Sequence, residues 1–189
     1  MPEHSNQPRE FDAVLGGQVP PPQYGAVLGD FARSHQNLKN FLEQGMWQQA
    51  DLETTVIMLK LANRTDQGSL SELDINNFDC EKLQIINNLW LKNSNGRFGF
   101  SIQKQIWQAV SNTSEPDWDA WCRFGESVGW YVNDKWLYWN DVTFNLKAPA
   151  GHLPRGGAIR GWGLGDFWTG CRKMSALAEK LDSCGITEE

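Results

Sequence analysis

The side chains with the strongest claim to covalent or metal chemistry are Cys80, Cys122, Cys171, Cys184 and His152, and their spacing supports little of it. There is no C-x-x-C pair, and no spacing argues for metal ligation by Cys80, Cys122 and His152. His4 and His35 fall in or near the N-terminal tail, which leaves His152 as the only core histidine. Without an obvious Ser or Cys partner it makes a poor nucleophilic site; loop packing or a hydrogen bond to backbone is the role expected of it. Carboxylates such as Glu53, Asp74 and Glu126 fall at helix surfaces or caps rather than in acid/base pairs. "GWGLG", Gly161 to Gly165, has no strand before it and no suitable lysine after it, so it reads as a hinge and not a phosphate loop. Four cysteines could form two disulfides, but the spacing offers no framework, and reduced thiols in a cytosol-like compartment are expected.

Binding chemistry is better represented. The stretch "LWLKNSNGRFGFSIQKQIW", Leu89 to Trp107, sets aromatic side chains on both sides of an Asn-Gly turn with Arg97 inside it. The chain holds 10 tryptophans in 189 residues, and their broad faces suit either a Trp-rich core or a ring-shaped ligand. Arg97, Lys104, Arg155 and Arg160 lie near the aromatic stretches in sequence. A flat hydrophobic ligand bearing carboxylates needs that pairing, apolar area for the ring and arginine for the acid. Glycan sites also use Trp platforms, but with more acids and amides around each ring. The net charge of -6 excludes a general attraction to nucleic acid or anionic lipid, and 17 basic against 23 acidic residues are too few for stacking on single strands. No run approaches the roughly 18 apolar residues of a membrane span.

These residues have to be positioned by helices. Residues 1 to about 33, with "QVPPPQYG", read as a Pro-rich tail. Leu38, Phe41 and Leu42 begin a short helix that Gly45 can close, and "WQQADLETTVIMLKLANR" continues as a longer one, forming a helical hairpin. In that second helix Leu52, Val56 and Leu59 stack on one stripe, with Ile57 and Leu61 beside it. Ser69 with Glu72 predicts a capping box for a short helix, and Asp79 a cap for the next, which carries Leu83, Ile86 and Trp90 inward until Asn95-Gly96 stops it. Ser101 opens another helix with Ile102, Ile106, Ala109 and Val110 inward, and Ser114 with Asp117 boxes the start of "DWDAWCRFGESVGW". From Trp130 the pattern changes to a long extended loop with turn residues Asn133-Asp134 and room for a short ribbon. After the glycine-rich hinge, Met174, Leu177, Ala178 and Leu181 predict a final amphipathic helix. The fold class expected is all-α: a compact helical core over 34–155 with a long ordered aromatic loop, flanked by the tail and by a hinge and helix over 156–189.

"GMWQQADLETTVIMLKLANR", "DINNFDCEKLQIINNLW", "SNGRFGFSIQKQIW", "FGESVGW" and "WLYWNDVTFNLKAPAGHLP" follow one another in an order and spacing that resembles the genomes uncoupled four family. These are the tetrapyrrole-binding regulators of magnesium chelatase in cyanobacteria and plastids. The resemblance covers about residues 36 to 154, and "SNGRFGFS" and "APAGHLP" are its most specific pieces. It implies a helical core whose long loop and a second interhelical loop cup a porphyrin, protoporphyrin IX or its magnesium form, with a linear bilin in some members. It implies no enzyme activity, stimulation of the chelatase together with its large porphyrin-binding subunit, no nucleic acid, and a monomer, with peripheral membrane association allowed. The location implied is a cyanobacterial cytoplasm, or a plastid stroma if a transit peptide was removed; Glu3, Glu10 and Asp12 argue against an intact one here. For the cup the resemblance and the residue types point to Leu70, Phe78, Val110, Trp136, Leu137, Tyr138 and Phe144 as apolar lining, with Arg155 and Arg160 for the propionates. Phe98 and Phe100 are expected to hold their turn against the core, with Ile106 and Val110 towards the ligand.

The chain departs from the family in places. The family's N-F-P-C-E-D-L is here "NFDCEKL", its I-D-x-L-W is "INNLW", and the basic residue usual after "VGW" is Tyr131. Charge is thereby removed from the helix starting at Cys80 and from the mouth of the loop, which motivates a second reading: a divergent member that binds a linear bilin or haem as sensor or carrier.

Overall fold

A computed structural model describes residues 31–111, 117–156 and 167–188. Among them are seven α-helices: α1 (Phe31–Glu43), α2 (Trp47–Leu61), α3 (Glu72–Asn76), α4 (Cys80–Asn93), α5 (Phe100–Val110), α6 (Trp118–Val128) and α7 (Phe167–Ser183). One two-stranded ribbon, β1 (Tyr131–Val132) with β2 (Lys135–Trp136), follows α6. The all-α expectation therefore holds, and the ribbon falls inside the loop. Its turn places Asn133 at φ 51° and Asp134 at φ 60°, the two left-handed residues that a tight hairpin turn requires.

Gly45, at φ 67°, reverses the chain between α1 and α2, which pack together as the hairpin the pattern predicts; α1 begins at Phe31, ahead of its first regular apolar position. Helix α2 is central. Trp47, Ala50, Thr54, Met58 and most of the residues between them are buried, so burial extends beyond the stripe through Leu52, Val56 and Leu59 with Ile57 and Leu61 beside it. Thr54 and Thr55 survive burial because their hydroxyls donate to the carbonyls of Ala50 (2.8 Å) and Asp51 (3.1 Å). Against α2 lies an aromatic nucleus. Trp90 is fully buried, donates its indole N–H to Thr54 Oγ1 at 3.0 Å, and meets Trp47 and Phe98 at ring-centre distances of 6.1 and 6.4 Å.

Capping decides the short elements. Helix α3 is boxed by Ser71 and Asp74, not by Ser69 and Glu72: Ser71 Oγ accepts from the Asp74 N–H while Asp74 accepts from the Ser71 N–H. Arg64 decides the register, donating to both Asp74 oxygens at 3.0 and 3.1 Å. Asp79 caps α4 as expected, accepting from Lys82 N–H, and Asn95 (φ 55°) and Gly96 (φ 73°) end it. Asp117 caps α6; Ser114 lies outside the described residues. Ser101 sits one residue inside α5, and Ala109 faces solvent instead of the core, because it shares the outer side of that helix with the exposed Gln105 and Gln108.

Helix α7 packs on α3, α5 and α6. Its exit is fastened by Lys104, whose buried Nζ donates to Asp182 Oδ1 and the Ile186 carbonyl, each at 2.8 Å. The expectation of four reduced thiols fails here. Cys80 and Cys184 form a disulfide with Cα atoms 5.4 Å apart, leaving Cys122 and Cys171 as thiols. The partners stand 104 residues apart, and only the return of α7 to the start of α4 brings them together.

Candidate functional site

The long loop is laced to the rest of the molecule at its far end by the turn that precedes α5. Arg97 Nε donates to the Ala148 carbonyl at 2.7 Å, Gly151 N–H to the Arg97 carbonyl at 2.9 Å, and Gly99 N–H to the Leu153 carbonyl at 3.0 Å. Gln103 then donates to the carbonyls of Gly151 (2.8 Å) and Pro154 (2.7 Å). "SNGRFGFS" and "APAGHLP" are thus two sides of one joint. Phe98 and Phe100 are both buried in it, the role expected of them.

His152 completes the joint. The Val128 carbonyl, 2.5 Å from Nδ1, can only accept, so Nδ1 carries the proton, and Nε2 accepts from the Thr143 N–H at 3.1 Å. Both nitrogens of a neutral ring are used, which is the backbone-bonding role read from the sequence. Burial pushes the His152 pKa down; the bond to Val128 opposes this, the Arg155 charge adds to it, and Asp51 opposes it. A folded value below the unfolded one, which is about 6.5, gives stability that is fully present above that value and lost as pH falls through the folded one. We expect the urea midpoint to decline on acidification below about pH 6.5, and the decline to be shallower in His152→Gln. Parallel profiles for the two proteins would refute the assignment.

The near end of the loop rests on α6. Trp136 stacks on Trp121 (5.0 Å, 24°) and packs against Tyr131 (5.2 Å). Gly125 makes room for it: a Cβ there would lie 2.5 Å from the Trp136 ring. Gly170 of α7 also approaches Trp121 so closely that a Cβ would lie 2.7 Å from the indole. Contacts therefore run from the loop through Trp136 and Trp121 to α7.

Beneath the loop lies Arg155, 5% exposed. Its Nη2 donates to the Leu137 carbonyl, its guanidinium lies 5.7 Å from the Trp130 ring centre, and its Nη1 is buried with no hydrogen-bond partner. Burial lowers its pKa to about 10, with Asp51 and Asp141 acting in the opposite sense, so it stays charged at neutral pH. Trp130 is oriented by its own N–H, which donates to the His152 carbonyl at 2.9 Å. Trp139 and Phe144 form a tilted pair at 5.2 Å nearby in the loop.

Of the residues selected from the sequence, Leu137 meets Arg155, and Phe144 joins the same neighbourhood through Trp139 and Asp51. Trp136, in β2 next to Leu137 in sequence, packs on Trp121 of α6. Tyr138 is 75% exposed and points outward. Leu70 is buried at a separate groove of about 470 Å³ that Ser69, Ser71, Glu72, Thr169, Arg172 and Lys173 complete, between α3 and α7. Phe78 is buried at the α3–α4 junction, and Val110 is half-buried at the end of α5. Arg160 lies outside the described residues. Sequence reasoning passed over Asp51, Trp130 and Trp139. An acid on a helix face otherwise made of Trp47, Ala50 and Thr54 was the available signal for Asp51.

Among the described residues no group of three or more His, Cys, Asp or Glu is placed to hold a metal ion, and no helix is long and apolar enough to cross a membrane. Comparison with known proteins gives consistent matches. The chain is 35% identical over 131 residues to the ycf53 protein of Porphyra purpurea, covering 67% of this chain and 52% of that one. It is 32% identical over 136 residues to the Arabidopsis thaliana protein named "Tetrapyrrole-binding protein, chloroplastic", covering 66% and 49%. The chain thus spans about half the length of the curated relatives it matches. The ligand-free structure of Arabidopsis thaliana GUN4 superposes with a TM-score of 0.61 at 25% identity, covering 81% of this chain and 94% of that one. GUN4 from Chlamydomonas reinhardtii, at 24% identity and a TM-score of 0.58 over 83% and 91%, shares the fold. The model of the GUN4-like family matches residues 30–169, through every element from α1 to the start of α7, and the chain belongs to that family.

Proposed function

We propose that this chain binds a tetrapyrrole, and specifically a cyclic one, protoporphyrin IX or its magnesium form, without catalysing a reaction on it. We further propose that it stimulates magnesium chelatase in concert with that enzyme's large porphyrin-binding subunit. The relative named for tetrapyrrole binding supports the ligand class. The observation that carries the reading is Arg155: a buried, charged guanidinium with an unpartnered Nη1, set against Trp130 and the Leu137 carbonyl, its backbone linked through Asp51 to the Trp139–Phe144 pair. A buried donor without an acceptor is costly, and a ligand carboxylate beside aromatic walls would satisfy it. Nη1 is buried, so a ligand carboxylate reaches it only as its present cover moves aside.

The departures from the family pattern have structural uses in this chain. Asn87 accepts from Ser101 N–H at 2.9 Å and donates to the Thr187 carbonyl at 3.4 Å, and a carboxylate could not donate. Asp79 caps α4, and Tyr131 packs on Trp136. They give no particular support to a bilin or haem.

The test is a titration followed by tryptophan quenching and by the tetrapyrrole absorption band, with protoporphyrin IX, its magnesium form, haem and a phycobilin in parallel. Binding of the cyclic porphyrins, weakened about tenfold or more by Arg155→Ala, is expected, the loss of one charge-assisted hydrogen bond. Absence of porphyrin binding at micromolar concentrations would sink the proposal, and bilin-only binding would assign the second reading instead. Addition to a chelatase assay tests the partner.

A further inference from the structure

Asp51 is a buried charge whose placement goes beyond that reading. It lies on α2 one turn after Trp47, fully shielded from solvent. A carboxylate taken out of water is costly unless its oxygens find donors. Oδ1 accepts from the main-chain N–H of Arg155 at 2.6 Å and of Gly156 at 3.0 Å. Oδ2 accepts from the Trp139 indole at 2.8 Å. These donors come from two stretches of the long loop, so one side chain of a central helix ties the loop's middle to its end.

What this carboxylate takes hold of matters as much as its burial. It holds Arg155 by the main chain, while the guanidinium reaches the Leu137 carbonyl and keeps Nη1 unpartnered. An acid that took Nη1 directly would neutralise the arginine and close it to a second carboxylate. An acid that fixes the backbone behind it sets the direction of the side chain, sustains its charge, and leaves that donor available.

We propose that Asp51 is a positioning residue for the ligand: by clamping Arg155, Gly156 and Trp139 together, it presents Arg155 Nη1 to a carboxylate of the bound molecule. The inference rests on the tetrapyrrole reading. It is tested by titrating wild type, Asp51→Asn, Arg155→Ala and the double variant with protoporphyrin IX and with its dimethyl ester, which keeps the ring and lacks the free acids. Asp51→Asn keeps one oxygen for the two main-chain donors and turns an amide N–H towards the Trp139 indole. Trp139→Phe, which removes the indole donor alone, serves as the second variant if Asn does not fold by far-UV circular dichroism.

Asp51→Asn should weaken protoporphyrin IX about tenfold and change the ester by less than about twofold. The double variant should bind no more weakly than Arg155→Ala, the non-additivity of two residues acting as one. A general structural role would weaken both ligands alike and add to Arg155→Ala, and either result overturns the proposal. If wild-type protein binds neither porphyrin, the functional reading itself fails, an outcome separable from failure in the variants alone.

Discussion

Reducing the Cys80–Cys184 bridge, or replacing Cys184 with serine, should lower the free energy of unfolding by about 2–5 kcal/mol. The bond closes a span of 104 residues, and a loop of that size costs the unfolded chain about 4.7 kcal/mol in entropy on the simplest chain model. For a chain of this length each kcal/mol moves Tm by about 2–4 °C, so a fall of roughly 4–20 °C is expected. The loss should be global, with little local fraying. Lys104 and Asn87 also hold the residues that follow α7, so the end of the chain stays docked until the whole domain unfolds. Thermal melts of wild type and Cys184→Ser, with and without dithiothreitol, provide the check. Reductant should lower the wild-type midpoint and leave the variant unmoved. Equal wild-type midpoints, with thiol titration showing that the bond had been reduced, would rule out the contribution.

Trp90→Ala should cost about 3–5 kcal/mol, the range for removing a large aromatic side chain from a packed core. Nothing of Trp90 reaches solvent, and Trp47 and Phe98 both pack against it, so the cavity cannot collapse without moving two more rings. Trp90→Phe separates the causes. It retains most of the ring and gives up the N–H bond to Thr54, and should cost about 1 kcal/mol for that bond plus a partial cavity. Urea midpoints of the three proteins decide the matter. A Trp90→Ala protein within 1 kcal/mol of wild type, by the same scale, would mean that the nucleus repacks freely.

What could be read from the sequence was local. Gly45, Asp79, Asn95-Gly96 and Asn133-Asp134 act within a few residues of themselves, through left-handed backbone or a side chain reaching three residues on, and each does what its type predicts. The box at α3 was misplaced because Ser69 and Ser71 both stand three residues before an acid, and the choice depends on Arg64, three residues beyond α2. The disulfide was invisible for the same reason on a larger scale. At the candidate site, the pairing of aromatic loop and arginine was legible in residue types. The clamp on Asp51 was not, because a lone acid in a helix signals a solvated face unless one knows what covers it.

That clamp also bears on how the chain is made. Trp139, Arg155 and Gly156 reach back 88, 104 and 105 residues to Asp51, whereas α1 and α2 pair across a single turn. Contacts between distant residues form only after loop-closure entropy has been overcome, so the helical hairpin assembles early and the loop late. During synthesis the Asp51 carboxylate must therefore stand on α2, on the same side as Trp47, Ala50 and Thr54, without these donors until 88 to 105 further residues have emerged. In this interval the aspartate acts as a gatekeeper: its charge keeps that face of α2 soluble while its partners are still being translated.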